Sequence, residues 1–204
     1  MLEDSEVLLN ISINSYTYTI KKKYMKSLNE IYQNYSAPDH HGDKGTIHTY
    51  IEIYERVLDK YRTNSTVLEI GIYNGLSLRM WNDYFIDSKI YGIDIHMNEF
   101  TNQLINENYN LIIGNACDVS ILNNFNDVVF DVIVDDGSHV LSEQIMTFNL
   151  FKSKMKSGGI FIIEDVLNID STKSLFEGLH DNCEIIDNRH IKNRHDDVMV
   201  IYRF

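Results

Sequence analysis

Residues 66–77, Thr-Val-Leu-Glu-Ile-Gly-Ile-Tyr-Asn-Gly-Leu-Ser, decide how the chain is read. A short apolar run, TVLEI (66–70), stops at Gly71. A turn carrying a second glycine, Gly75, follows, and LSLRMWNDYF (76–85) then has helical character. Strand, glycine turn and helix open a unit that leads to the next strand. Downstream, KIYGIDI (89–95), NLIIG (110–114), FDVIVDD (130–136) and IFIIED (160–165) read as strands. Helices are expected at 98–107, 119–125, 140–155 and 172–180. CEIIDN and DVMVIYRF supply two last strands. Upstream, Ile47, Tyr50, Ile51, Tyr54, Val57, Leu58 and Tyr61 recur at three- and four-residue steps, one stripe of a helix over 47–62 capped by Thr46. A further helix is expected over about 21–35. Strands apolar throughout that alternate with helices imply an α/β fold whose parallel sheet is covered on both faces.

The chain has 204 residues, with 18 Lys and Arg against 30 Asp and Glu, a net charge of −12. That balance argues against a nucleic-acid partner, which needs a basic face, and against docking on anionic lipid. No run approaches the roughly 20 apolar residues of a membrane span. The N-terminus lacks the basic-then-apolar layout of a secretory signal. Two cysteines, Cys117 and Cys183, form no disulfide framework and suit a reducing, cytoplasmic setting. Pro38, the sole proline, lies in the loop-like YSAPDHHGDKG and marks a boundary: an N-terminal appendage (1–42) and a main domain (43–204). The appendage helix is a candidate contact in a homo-oligomer, or a cover for the cleft.

Parallel sheets bind ligands beyond the carboxyl ends of their strands. Acids from four strands fall there: Glu69, Asp94, Asp135 with Asp136, and Glu164 with Asp165. In the glycine turn, Gly71, Asn74 and Gly75 let backbone pass close to a ligand, and the helix start offers free N–H groups. Tyr73 breaks a dinucleotide fingerprint, and Glu69 would repel a pyrophosphate. An acid there suits a ligand with a cationic part, such as the methionyl end of S-adenosylmethionine. Asp94 follows Gly71 by about 20 residues, the spacing at which an acid reaches ribose hydroxyls. Asp118 reads either as an acceptor for an adenine amino group or as the N-cap of the next helix. Three or four carboxylates among Asp135, Asp136, Glu164 and Asp165 form an all-oxygen site that suits Mg²⁺, Mn²⁺ or Ca²⁺ better than zinc. His139, three residues after Asp136, is placed to remove a proton near neutral pH.

LEIGIYNGLSLRMW, YGIDI, DVIVDDGSH and GGIFIIED, in that order and spacing, resemble class I S-adenosylmethionine-dependent methyltransferases. More narrowly they resemble the macrocin- and mycinamicin-type sugar O-methyltransferases, a group that includes cephalosporin-hydroxylase-like proteins. DKGTIHTYIEIYE (43–55) is similar to the helix before the cofactor fold of that group, and NRHDDVMVIYR (193–203) to its closing hairpin. The resemblance implies a Rossmann-like, mostly parallel seven-stranded sheet with an antiparallel C-terminal strand. It implies cofactor contacts at Glu69, Gly71, Asn74, Gly75, Asp94, Asp118 and Asp135, a metal on Asp136, Glu164 and Asp165, and His139 as general base. The reaction implied is methylation of a sugar hydroxyl on a small-molecule or glycan acceptor. A hydroxylase-like or non-catalytic relative and a catechol-type O-methyltransferase are the alternatives.

Overall fold

The computed structural model describes residues 6–13, 16–23, 25–35, 42–96, 104 and 109–204, of which 6–13 and 16–23 are described in backbone only. Nine strands are seen among them: β1 (Glu6–Ile13), β2 (Tyr16–Lys23), β3 (Thr66–Ile70), β4 (Lys89–Asp94), β5 (Asn110–Ile113), β6 (Phe130–Asp135), β7 (Met155–Ile163), β8 (Cys183–Asp187) and β9 (Val198–Arg203). The helices are α1 (Leu28–Tyr32), α2 (Tyr50–Leu58), α3 (Leu76–Tyr84), α4 (Leu141–Phe151), α5 (Ile169–Glu177) and α6 (Arg189–Lys192). β1 and β2 pair antiparallel by themselves, while β3–β9 form one seven-stranded sheet in the order β5-β4-β3-β6-β7-β9-β8. β3–β7 are parallel, and β9 runs antiparallel to both β7 and β8. The expected mostly parallel sheet with an antiparallel C-terminal strand is present.

Alternation along each strand sorts the core into two layers. Val67, Val132, Val134, Ile160 and Ile162 face one cluster, with Tyr50 and Tyr54 of α2 and Trp81 of α3. Leu68, Ile133, Phe161 and Ile163 face the other, with Phe148 and Phe151 of α4 and Phe176 of α5. The chain winds from β3 outward to β5, then returns to place β6 on the other side of β3. That reversal leaves a crevice beyond the ends of β3 and β6, where open α/β sheets bind ligands.

Several boundaries differ from expectation. The helix expected over 21–35 is only α1. Tyr16–Lys23 is strand, as its alternating Tyr and Thr residues favour. α1 begins where Ser27 and Glu30 form a reciprocal capping box. Its buried Leu28, Ile31 and Tyr32 join the core shared with α2 and α3, so its apolar face is used within the chain. The helix expected over 47–62 starts at Tyr50, followed by a 3₁₀ turn at Asp59–Tyr61. Its cap is Thr49 rather than Thr46, because Asp197 accepts from the Thr49 N–H and hydroxyl. Thr46 instead donates its hydroxyl to the Gly42 carbonyl. Residues 119–125 form a 3₁₀ helix, and β7 starts at Met155, before the Gly158–Gly159 pair expected to precede it. Of the helix expected over 98–107, only Leu104 is described, helical and buried. α6, between the last two strands, was not expected. No helix among the described residues is long and apolar enough to cross a membrane.

Phe148 is fully buried, its ring centroid 5.2 Å from Phe161 and 4.2 Å from Tyr202. Phe148→Ala should lower unfolding stability in urea by about 3–5 kcal/mol, read as a shifted midpoint with an unchanged slope.

Candidate active site

β3 delivers the glycine turn. Gly71 has φ +87°, and a Cβ there would lie 2.0 Å from the Asp136 carbonyl oxygen, so only glycine fits where the β3 and β6 turns touch. Gly75, φ +77°, opens α3 against Leu104. Asn74 Oδ1 accepts from Leu76 N at 3.1 Å. Asp94, at the end of β4, accepts from Ile72 N (2.8 Å) and Tyr73 N (3.0 Å) through Oδ2 and from His96 N through Oδ1. It therefore ties the glycine turn to the next strand end.

The turn borders a cleft of about 650 Å³, lined by Gly71, Asn74, Asp94, Asp135, Asp136, His139 and Asp165 among others. Tyr32 and Tyr35 from the α1 region also reach it. Tyr73, His139 and Asp165, all on its wall, have φ of 47°, 58° and 53°. Non-glycine residues held in the left-handed region store strain of about 1–3 kcal/mol each, a mark of working sites.

Along the same cleft the acids converge. His139 Nε2 lies 4.0 Å from Asp136 Oδ1 and 3.8 Å from Asp165 Oδ2. The three residues form a group whose ligand atoms fall within 4.8 Å of one another. Asp165 Oδ1 accepts from the Tyr50 hydroxyl at 2.6 Å and lies 3.4 Å from His48 Nδ1. Glu164 is buried, held by Lys44 Nζ at 2.6 Å and by the Tyr54 hydroxyl. Lys44 also donates to Asp136 Oδ2 at 2.7 Å. Asp135, bonded by the Thr147 hydroxyl and Gly137 N, is pushed up to about 6 by burial. Burial likewise raises Glu164 and Asp165, with the Asp136 charge adding to each.

Glu69 is fully buried beneath the glycine turn and is not among the cleft-lining residues. Its oxygens accept from Ser77 Oγ (2.7 Å) and Trp81 Nε1 (3.1 Å), and burial pushes it up to about 7. Asp118 is exposed and caps the 3₁₀ helix through Ser120 N, outside the cleft wall, which here is made by Asn115, Ala116 and Cys117. Of its two sequence readings, the structure displays the cap. Sequence reasoning missed Lys44, His48, Tyr50 and Tyr54. The periodic tyrosines read as core, and the chemistry of Lys44 and His48 depends on partners distant in the chain.

Residues 68–166 match a family described as a methyltransferase domain. An 8-demethyl-8-alpha-L-rhamnosyl tetracenomycin-C 2'-O-methyltransferase from Streptomyces olivaceus is 29% identical over 70% of this chain and 39% of its own. Demethylmacrocin O-methyltransferase from Streptomyces fradiae is 30% identical over 68% of this chain and 36% of its own. The mycinamicin VI 2''-O-methyltransferase from Micromonospora griseorubida gives the same identity and shares. The chain spans less than two fifths of the length of these relatives. Among solved structures, the MycE methyltransferase in complex with Mg and SAH superposes with a TM-score of 0.68 at 22% identity, covering 88% of this chain and 55% of that one. The fold is that of class I methyltransferases, and the resemblance to macrocin- and mycinamicin-type enzymes read from the motifs holds.

The raised Glu69 carries a pH signature. A carboxyl whose folded pKa exceeds its unfolded value takes up protons on folding, so stability falls as pH rises through the interval between the two. For Glu69 that interval runs from 4.5 to about 7. Glu69→Gln should flatten the fall in urea midpoint between pH 5 and pH 7.5 relative to the unsubstituted protein. Parallel profiles would contradict this.

Proposed function

We propose that this chain is the cofactor-binding and catalytic part of an O-methyltransferase that uses S-adenosylmethionine and a divalent cation to methylate a sugar hydroxyl. We take 43–204 as that domain and 1–42 as its appendage. The observation that carries the reading is one cleft lined both by the Gly71 turn with Asp94 and by the grouped donors Asp136, His139 and Asp165. The three relatives named above are O-methyltransferases by name, and the name of the tetracenomycin enzyme specifies a rhamnosyl substrate. The two cysteines, both free, support a reducing, cytoplasmic setting.

The residues present fit both groups. The donor set beside His139 is carboxylate-rich, as Mg²⁺ or Mn²⁺ requires. The buried Glu69 and Glu164 and the half-buried Asp136 share the ammonium of Lys44, three carboxyls to one cation among the described residues. The Nδ1 atoms of His48 and His139 are buried without a hydrogen-bond partner, that of His48 3.4 Å from Asp165 Oδ1. Asp136 and Asp165, with Glu164 behind them, would hold the cation; Gly71, Asn74 and Asp94 would border the cofactor. When bound, the cofactor supplies an electrophilic methyl and the cation lowers the pKa of the acceptor hydroxyl.

The chain's own part is positioning and proton removal. Asp94 fixes the turn through Ile72 N and Tyr73 N and keeps acceptor capacity for ribose hydroxyls. Gly71 keeps the turn close under the ligand. Glu69 anchors the turn through Ser77 and Trp81. Asp135 braces the β6 turn through Gly137 N. His139 Nε2 accepts the hydroxyl proton, with the charges of Asp136 and Asp165 beside the ring that receives it. Such a base contributes typically 10²–10⁴-fold.

Methyl transfer from labelled S-adenosylmethionine should proceed to glycoside or nucleotide-sugar acceptors, and not to catechols, in Mg²⁺. His139→Ala should lower kcat at least about 100-fold while leaving cofactor affinity within about twofold. Wild-type turnover in that variant would place the base elsewhere. Asp136→Asn should lose turnover and cation dependence together.

A further inference from the structure

Lys44 is a buried cation at the heart of the site, and the sequence motifs assign it no task. It lies in the turn before α2, 4% exposed. Its Nζ contacts Glu164 Oε1 at 2.6 Å and Asp136 Oδ2 at 2.7 Å, with Glu69 Oε1 at 3.8 Å. Those carboxylates come from β7, β6 and β3. One ammonium thus bridges three parallel strand ends.

The identity of the engaged oxygens matters more than the charge. Asp136 is held by Oδ2, leaving Oδ1 toward His139. Asp165 is held by Oδ1, through the Tyr50 hydroxyl, leaving Oδ2 toward His139. Glu164 is held by Oε1, through both Lys44 and Tyr54. Each acid is gripped from behind by residues of the 44–54 segment. That segment is itself fixed: Lys192 donates to the carbonyls of Gly45, Thr46 and His48 at 2.8, 2.9 and 2.7 Å, and Asp197 accepts from Thr49 N at 3.2 Å. Hydrogen bonds of this kind, one shell out, set the rotation of metal-binding carboxylates, and losing one typically costs 10–100-fold in metal affinity.

We propose that Lys44 is a positioning residue for the cation site, holding Asp136 and Glu164 by one oxygen each so that Asp136 Oδ1 is presented at the cleft beside Asp165 Oδ2, which Tyr50 sets. The inference rests on the cation-dependent reading above. Its effect is orientation, an ordering that outweighs the repulsion between the ammonium and an incoming cation.

The test is Mn²⁺ binding, followed by the electron paramagnetic resonance signal of the free ion, in the unsubstituted chain, Lys44→Met and Lys44→Gln. Thermal unfolding and the fluorescence of Trp81, the sole tryptophan, report folding in the same samples. Lys44→Met should weaken Mn²⁺ binding about tenfold or more. Lys44→Gln, which keeps an N–H donor on a shorter arm, should weaken it less. A residue that served stability alone would lower the melting temperature and leave the Mn²⁺ affinity unmoved. Unchanged affinity in a folded variant therefore overturns the proposal. Tighter affinity also overturns it, and would mark Lys44 as a competitor of the metal. If Lys44→Met does not fold, Lys44→Gln decides by the same criteria. Absence of Mn²⁺ binding in the unsubstituted chain overturns the cation-dependent reading itself, and the proposal with it.

Discussion

Parallel strands all deliver their last residues to one edge of the sheet, and in this chain β3, β6 and β7 deliver Glu69, Asp135 with Asp136, and Glu164 with Asp165. Burial at that edge raises the cost of every charge there. The fold meets it with a small number of precise partners: Lys44 between three of the acids, Thr147 on Asp135, Tyr50 on Asp165, and Ser77 with Trp81 on Glu69. The rest follows from this constraint. α2 must carry hydroxyls on the face it turns to the sheet, which is why its stripe holds tyrosines and not only aliphatics. Segment 188–197 must pin the turn before α2, which Lys192, Asn188 and Asp197 do. The strain at His139 and Asp165 is carried where these contacts over-determine the backbone.

The parallel sheet was legible because its strands are short apolar runs ended by glycine or acid, a local pattern. Carboxylates at strand ends were legible for the same reason: once a strand is placed, its last residue is placed. The helix expected over 21–35 was placed too early because the Tyr-Thr alternation before it extends a strand through Lys23. The cap of α2 moved from Thr46 to Thr49 because Asp197, far along the chain, claims Thr49.

The site was legible in part. Asp136, His139 and Asp165 converge as their spacing implies, and Gly71 is glycine because the Asp136 carbonyl leaves no room for a Cβ. Asp118 has two uses that spacing cannot separate, and the structure displays the capping one. Glu69 reads as a ligand contact from its place in the motif, yet strand alternation turns it inward, where Trp81 and Ser77 hold it. Lys44 could not be found from spacing, since its partners lie 92 and 120 residues away.

In this account the Gly71 turn and Asp94 border the S-adenosylmethionine site in the same cleft as a cation site at Asp136 and Asp165, and that is its central claim. Calorimetric titration of S-adenosylmethionine into the chain tests it, first in Mg²⁺ and then in EDTA. One-to-one binding of similar affinity in both is the result predicted, since Gly71, Asn74 and Asp94 are not among the grouped cation donors Asp136, His139 and Asp165. No binding in either condition would contradict the account.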